Sequence, residues 1–237
     1  MLRMTGKRTQ EQWAETFAHA KHGHILWDGN ATNPTDPVLA YITAHDFISY
    51  AKSNGMFSKK NSKILDLGCG NGRFGIVFSE MAVEYEGIDP MKECIDFCKY
   101  AFSDFDHIKF HHTPVHHPEY GLKGNVPKEQ FTLKYPDNTF DDVIVYSVFT
   151  HLQTLETAQN YMREIKRVMK PGSNLFVTWY RSPPDPVADS TVGRTVYREA
   201  DIINLMSGLE LTSTYGGHSG HFYDQWSIFA KLMEQQC

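Results

Sequence analysis

The stretch KILDLGCGNGRFG, Lys63 to Gly75, starts as a short apolar strand, reaches a carboxylate at Asp66 and then breaks into glycines at 68, 70, 72 and 75. A strand that ends in an acid and turns through glycines toward a helix brings a ligand to the carboxyl edge of a parallel sheet. The sequence on either side supports that reading. Short strands are predicted at EYEGID (84–89), IKFHH (108–112), DDVIVYSV (141–148) and NLFVTWY (174–180). Helices over 72–82, 91–102 and 155–169 alternate with them, the order that builds an α/β doubly wound sheet covered on both faces. The last of these helices carries Leu155, Ala158, Met162, Ile165 and Met169 on one face and is stopped by Pro171 and Gly172.

Two further helices precede the stretch. One covers 10–22; the other is opened by Asp36 as N-cap with Pro37 at its first position and ends near Gly55. Leu39, Ile42, Ala44, Phe47, Ile48 and Ala51 recur along the second at helical spacing. A turn-rich loop, HILWDGNATNPTDP, joins the two. The chain therefore divides into a helical segment, 1–57, expected to cover the active site, and a ligand-binding domain, 58–237.

After the fifth strand, RSPPDPVADSTVGRT holds three prolines and cannot be a helix or central strand. A helix over 199–207 follows, then strands at LELTST and QWSIFAKL. The link between these two is too short for a parallel crossover, so the final pair is antiparallel.

Composition limits the function classes. The 237 residues are 41% hydrophobic and 22% charged, as in an ordinary globular protein. A net charge of −5 supplies no basic field, so nucleic acid is not an expected partner. The N-terminus turns polar before any run of signal-peptide length, and no stretch approaches the roughly 20 apolar residues of a membrane span. No membrane association and a cytoplasmic setting are expected. The four cysteines form neither a disulfide framework nor a zinc site; Cys94 and Cys98, one helical turn apart, read as packed thiols.

Two ligands compete for the glycine loop. Gly70-x-Gly72-x-x-Gly75, with Asp89 at the distance of a ribose-binding acid, matches the dinucleotide fingerprint of a nicotinamide enzyme. Asp66, however, would repel a pyrophosphate. S-adenosylmethionine has no phosphate and carries an ammonium and a sulfonium, for which a carboxylate is an attractive neighbour. Gly68 and Gly70 would let the backbone approach the adenosine closely, and Asp89 can accept hydrogen bonds from both ribose hydroxyls.

With these residues the chain resembles the class I S-adenosylmethionine-dependent methyltransferases. ILDLGCGNG is similar to the family's first motif, GIDP to its second, FDDVIVYSVFTHL to its fourth, and REIKRVMKPGSNLFVTW to the helix, turn and fifth strand that follow. The resemblance runs in family order over Lys63 to Tyr180. It implies a seven-stranded sheet whose antiparallel last strand inserts beside the fifth. It also implies that Asp66 and the loop of Gly68, Cys69 and Gly70 hold the methionine end and Asp89 the ribose, with Pro90 also at the cofactor; the adenine position, often acidic or polar in the family, departs from that pattern and falls near His112 and Thr113. Tyr146 or Ser147 would line the methyl-transfer side.

Methyl transfer to an activated sulfonium depends mainly on positioning, which alone supplies roughly 7 to 11 kcal/mol. For a hydroxyl acceptor a general base adds about 10² to 10⁴ in rate, and His151, after the fourth strand, is the candidate. Its alternative role is a hydrogen bond at the start of a helix. HHTPVHH clusters His111, His112, His116 and His117, but Pro114 interrupts the run and no metal is expected. Trp27, Arg181, His218 and His221 are candidate acceptor contacts.

The expected activity is methyl transfer to a hydroxyl or amine of a small polar acceptor. SVFTHL followed by REIKRVMKPG resembles bacterial methyltransferases of sugar, glycan and natural-product pathways. The alternatives are a protein or peptide methyltransferase, a nicotinamide oxidoreductase, and a non-catalytic protein that binds the cofactor.

Overall fold

The structure, a computed structural model, describes residues 7–19, 37–117, 122–181, 195–218 and 224–233. Its elements are α1 (Gln10–Phe17), α2 (Pro37–Ser53), β1 (Lys63–Leu67), α3 (Gly75–Phe78), β2 (Glu84–Asp89), α4 (Lys92–Ala101) and β3 (Ile108–His112). There follow β4 (His116–His117), β5 (Leu122–Lys123), β6 (Phe140–Val145), α5 (Leu155–Val168), β7 (Met169–Arg181), α6 (Glu199–Leu205), β8 (Leu209–His218) and β9 (Asp224–Leu232). Seven strands form one sheet in the order β3-β2-β1-β6-β7-β9-β8, and β4 and β5 form a separate antiparallel pair. β9 runs antiparallel between β7 and β8, the arrangement expected of the final strands. The chain divides into two compact units, Met1–Thr113 and Pro114–Cys237.

In the first unit β2 pairs in parallel with β1 and β3, and the three strands fall on the residues expected from sequence. Their core is aromatic: Phe78 stacks on Tyr85 at 5.2 Å, and Phe110 meets Tyr85 and Phe102. Each fully buried side chain of this size contributes about 1.5–3 kcal/mol relative to exposure. α1 is opened by a capping box, Thr9 with Gln12, and buries Trp13 and Phe17 against Phe102, Phe105 and Phe97. Arg8 covers the Trp13 ring at 4.8 Å and donates to Ala101 O and Asp104. Helix α1 ends at Phe17, before the expected residue 22, and Asp36 lies outside the described residues. In α2, Ala40, Ala44, Ile48 and Ala51 are buried, whereas Ile42 faces solvent and departs from the expected apolar face.

The helix expected over 72–82 shrinks to the four residues of α3. Gly72 adopts φ +77°, which no α-helix accepts, and most of the following turns close with three-residue hydrogen bonds such as Val77 N to Phe74 O.

In the second unit β6 is buried along its whole length, and its acids are paired: Asp141 with Lys170, Asp142 with Asn174. The strand ends at Val145, three residues earlier than expected, because Ser147 turns to φ +61°. Helix α5 buries Ala158, Met162, Ile165 and Val168, while Leu155, at its first turn, is exposed. It ends at Val168, ahead of Pro171, because Asn138 N and Thr139 N cap the carbonyls of Arg167 and Val168 and the chain passes directly into β7. Pro171 and Gly172 are part of that strand.

Candidate active site

In the first unit the ends of β1, β2 and β3 are tied together around the glycine loop. Gly68 N and Cys69 N both donate to Ile88 O, and Thr113 N donates to Asp89 O. Gly68, Gly70 and Gly72 all have positive φ, the region that glycine enters without steric cost. Their surroundings differ. A Cβ on Gly72 would lie 3.0 Å from Cys98 Sγ and Phe110, whereas one on Gly70 would meet nothing within 4 Å. From below, the thiols of Cys69 and Cys98 both donate to Gly70 O. Gly70 therefore presents its backbone to open space from a fixed base.

Two carboxylates lie in this cradle. Asp89 is buried and accepts from Gly70 N through Oδ2 at 2.9 Å and from Met91 N through Oδ1 at 2.8 Å. Burial pushes its pKa up to about 6, against the lowering effect of those two amides and of His112. Each oxygen thus holds one backbone amide and keeps one lone pair for a further donor. Asp66, 1% exposed, accepts from the Tyr85 hydroxyl through Oδ2 at 2.5 Å. Its Oδ1 is buried with no hydrogen-bond partner among the described residues. Burial pushes this carboxyl up to about 7; the Tyr85 bond and the charge of Arg73 oppose the shift and the charge of Asp89 adds to it.

These features suit S-adenosylmethionine. A buried, unpartnered carboxylate oxygen calls for a cationic donor, and the opening over Gly70 admits a flat group against the backbone. Asp66, Gly68, Cys69, Gly70, Asp89, Pro90 and Thr113 form one cluster, although Cys69 is buried beneath the loop and its side chain faces the core. The acidic lining does not suit a pyrophosphate.

In the second unit, Tyr146 stacks on Phe176 at 6.0 Å, and Ser147 N donates to Thr178 Oγ1 at 2.7 Å. Residues 147–151 then close a tight turn in which His151 N donates to Val148 O. The turn is held from a distant part of the chain. Thr195 N donates to Thr150 O, Thr195 Oγ1 accepts from Gln153 N, and Tyr197 Oη donates to Phe149 O. Lys128 Nζ donates to Gln153 Oε1. Arg181 is ion-paired with Glu199 at 3.1 Å, so its charge is already engaged at the start of α6. His218 closes β8 opposite Asp224, while Trp27 and His221 lie outside the described residues.

The histidine run is taken up locally. His111 bonds Glu86 at 2.6 Å, His112 bonds Pro90 O, and His116 belongs to β4. Among the described residues no group of three or more His, Cys, Asp or Glu is placed to hold a metal, and no helix is long and apolar enough to cross a membrane. Sequence reading missed Tyr85, Arg73, Thr178, Thr195 and Tyr197. Only the register of β1 on β2, Asp66 opposite Gly87, reveals that Tyr85 shares a face with the acid.

A family profile described as "Methyltransferase domain" matches residues 65–177. An uncharacterized methyltransferase of Schizosaccharomyces pombe is 35% identical over 118 residues, which are 49% of this chain and 39% of that protein. The mitochondrial ubiquinone biosynthesis O-methyltransferase of Rattus norvegicus is 29% identical over 116 residues, 49% of this chain and 30% of that protein. The chain thus spans less than half the length of either relative. Among solved structures, the N-methyltransferase NodS from Bradyrhizobium japonicum with bound S-adenosylhomocysteine shares the fold, with a TM-score of 0.60 at 18% identity over 80% of this chain and 87% of that one. The sheet order, the glycine cradle and the matched residues agree: residues 65–177 carry a methyltransferase domain, in the fold of the class I S-adenosylmethionine-dependent methyltransferases.

Proposed function

We propose that the protein transfers a methyl group from S-adenosylmethionine to a hydroxyl or amine of a small polar acceptor. The observation that carries the cofactor assignment is the buried, unpartnered Oδ1 of Asp66 beside the open face of Gly70. The cofactor, when bound, supplies a methyl group already activated on a sulfonium. In this reading Asp66 accepts from the cationic end, and Asp89 uses its remaining lone pairs for the ribose hydroxyls while its amide bonds hold the loop. Thr113 lines the adenine side, and Tyr146 and Ser147 the acceptor side. His151 takes the proton from a hydroxyl acceptor, its backbone fixed by the turn at 147–151. The acceptor class is supported by relatives that act on oxygen and on nitrogen, and by the resemblance to sugar and natural-product methyltransferases. The helical segment 1–57 is assigned the role of covering the acceptor.

The test is calorimetric titration with S-adenosylmethionine, S-adenosylhomocysteine and NADH in parallel, followed by an acceptor screen that detects S-adenosylhomocysteine release. Micromolar binding of both sulfur nucleotides supports the reading, and binding of NADH alone overturns it. A screen that responds only to peptides selects a protein methyltransferase. With an acceptor in hand, Asp89→Ala should weaken cofactor binding at least tenfold, through the lost carboxylate contacts. His151→Ala should leave binding within a factor of two and slow turnover about 10² to 10⁴-fold. Unchanged turnover removes His151 as the base.

A further inference from the structure

We propose that Tyr85 is a positioning residue for the cofactor site: its hydroxyl fixes one oxygen of Asp66 and so presents the other, as a carboxylate, to the cationic end of the ligand. The inference rests on the cofactor reading and deepens it. The tyrosine does not itself touch the ligand; it is fully buried in β2, with its ring between Phe78 and Phe110. The 2.5 Å bond from Tyr85 Oη engages Asp66 Oδ2, while the other oxygen, Oδ1, is buried with no hydrogen-bond partner among the described residues.

A buried carboxyl that must be charged to bind a cation has two needs: a defined rotamer and a donor that favours the ionised form. Tyr85 supplies both, since a hydroxyl donating to a carboxylate stabilises the anion. The other charged or titratable groups facing Asp66 act in both directions. Arg73 from the glycine loop favours the anion, Asp89 at the end of β2 disfavours it, and the thiols of Cys69 and of Cys98 on α4 are neutral neighbours. Burial works against ionisation, so a single donated hydrogen bond shifts the balance near neutral pH.

The experiment measures affinity for S-adenosylhomocysteine from pH 6 to pH 9 for the native protein, Tyr85→Phe, Asp66→Asn and the double variant. The ligand's own titration is common to all four and cancels in the ratios. Tyr85→Phe should bind about tenfold more weakly near pH 7, as expected for a lost hydrogen bond to a charged group. The loss should shrink by pH 9, where Asp66 is ionised in both, to the part that reflects the lost rotamer restraint. In the Asp66→Asn background the same substitution should have no further effect.

No loss of affinity in Tyr85→Phe at any pH, or a loss that persists in the Asp66→Asn background, overturns the positioning role and leaves at most a packing effect. The phenylalanine ring preserves the aromatic contacts, and a thermal melt of each variant at each pH confirms that folded protein is compared. Failure of the native protein to bind at any pH is a separate result: it overturns the cofactor reading, and this inference with it.

Discussion

Gly70 and Gly72 have nearly the same sequence context and both sit at positive φ, yet their tasks differ. At either one, an alanine would pay about 1–2 kcal/mol for the left-handed conformation. At Gly72 the methyl would also press on Cys98 and Phe110 at 3.0 Å, in a packed interior that yields little. At Gly70 it would enter open space. Gly72→Ala should therefore lower the melting temperature by more than Gly70→Ala. Gly70→Ala should instead cost at least tenfold in affinity for S-adenosylhomocysteine while the protein remains folded. Differential scanning fluorimetry with and without ligand separates the two outcomes, and equal melting temperatures would contradict the packing argument.

Elements differ in how openly the sequence declares them. β1, β2 and β3 were legible at their end residues, because each apolar run is bounded by a charge or a turn signal. The helix after the glycine loop was not, since its apolar spacing is compatible with a longer helix and only the backbone sign at Gly72 forbids it. Ser147 raises the same difficulty. Nothing in VYSVF marks a left-handed serine, which is stabilised by a hydroxyl 31 positions away on Thr178. Asp66 and Asp89 were legible as acids near strand ends; that Asp89 also spends a lone pair from each oxygen on the backbone was not. The place of α1 is set by Trp13, buried among Phe17, Phe102 and Phe105 under the Arg8 guanidinium. Trp13→Ala should cost about 3–5 kcal/mol, the range for truncating a buried aromatic. Urea titration checks this, and a loss below 1 kcal/mol would mean that α1 is only loosely attached.

At the scale of the molecule, the two buried acids contribute a pH dependence opposite to the usual acid unfolding. Asp66 and Asp89 have folded pKa values raised from 3.8, to about 7 and about 6. Their contribution to stability is fully present below pH 4 and is lost as pH rises through 6 and 7. For Asp66 alone this amounts to at most about 4 kcal/mol above pH 7. The unliganded protein should gain from Asp66→Asn at pH 8 relative to its effect at pH 5, as read from urea midpoints at the two values. An equal effect at both would show that the acid is solvated. The same charge that destabilises the empty fold is what a cationic ligand would neutralise, so ligand stabilisation should be larger at pH 8.

The placement of β9 has a bearing on how the molecule comes into being. The strand nearest the C-terminus lies inside the sheet, with β7 on one side and β8 on the other. Synthesis runs from the N-terminus, so β8 emerges before the strand that joins it to the rest. Until residues 224–232 arrive, β7 keeps an open edge and β8 has no ladder to enter. A chain cut short at 223 would lose an interior strand instead of a margin, and its two exposed edges would be available to pair with other chains.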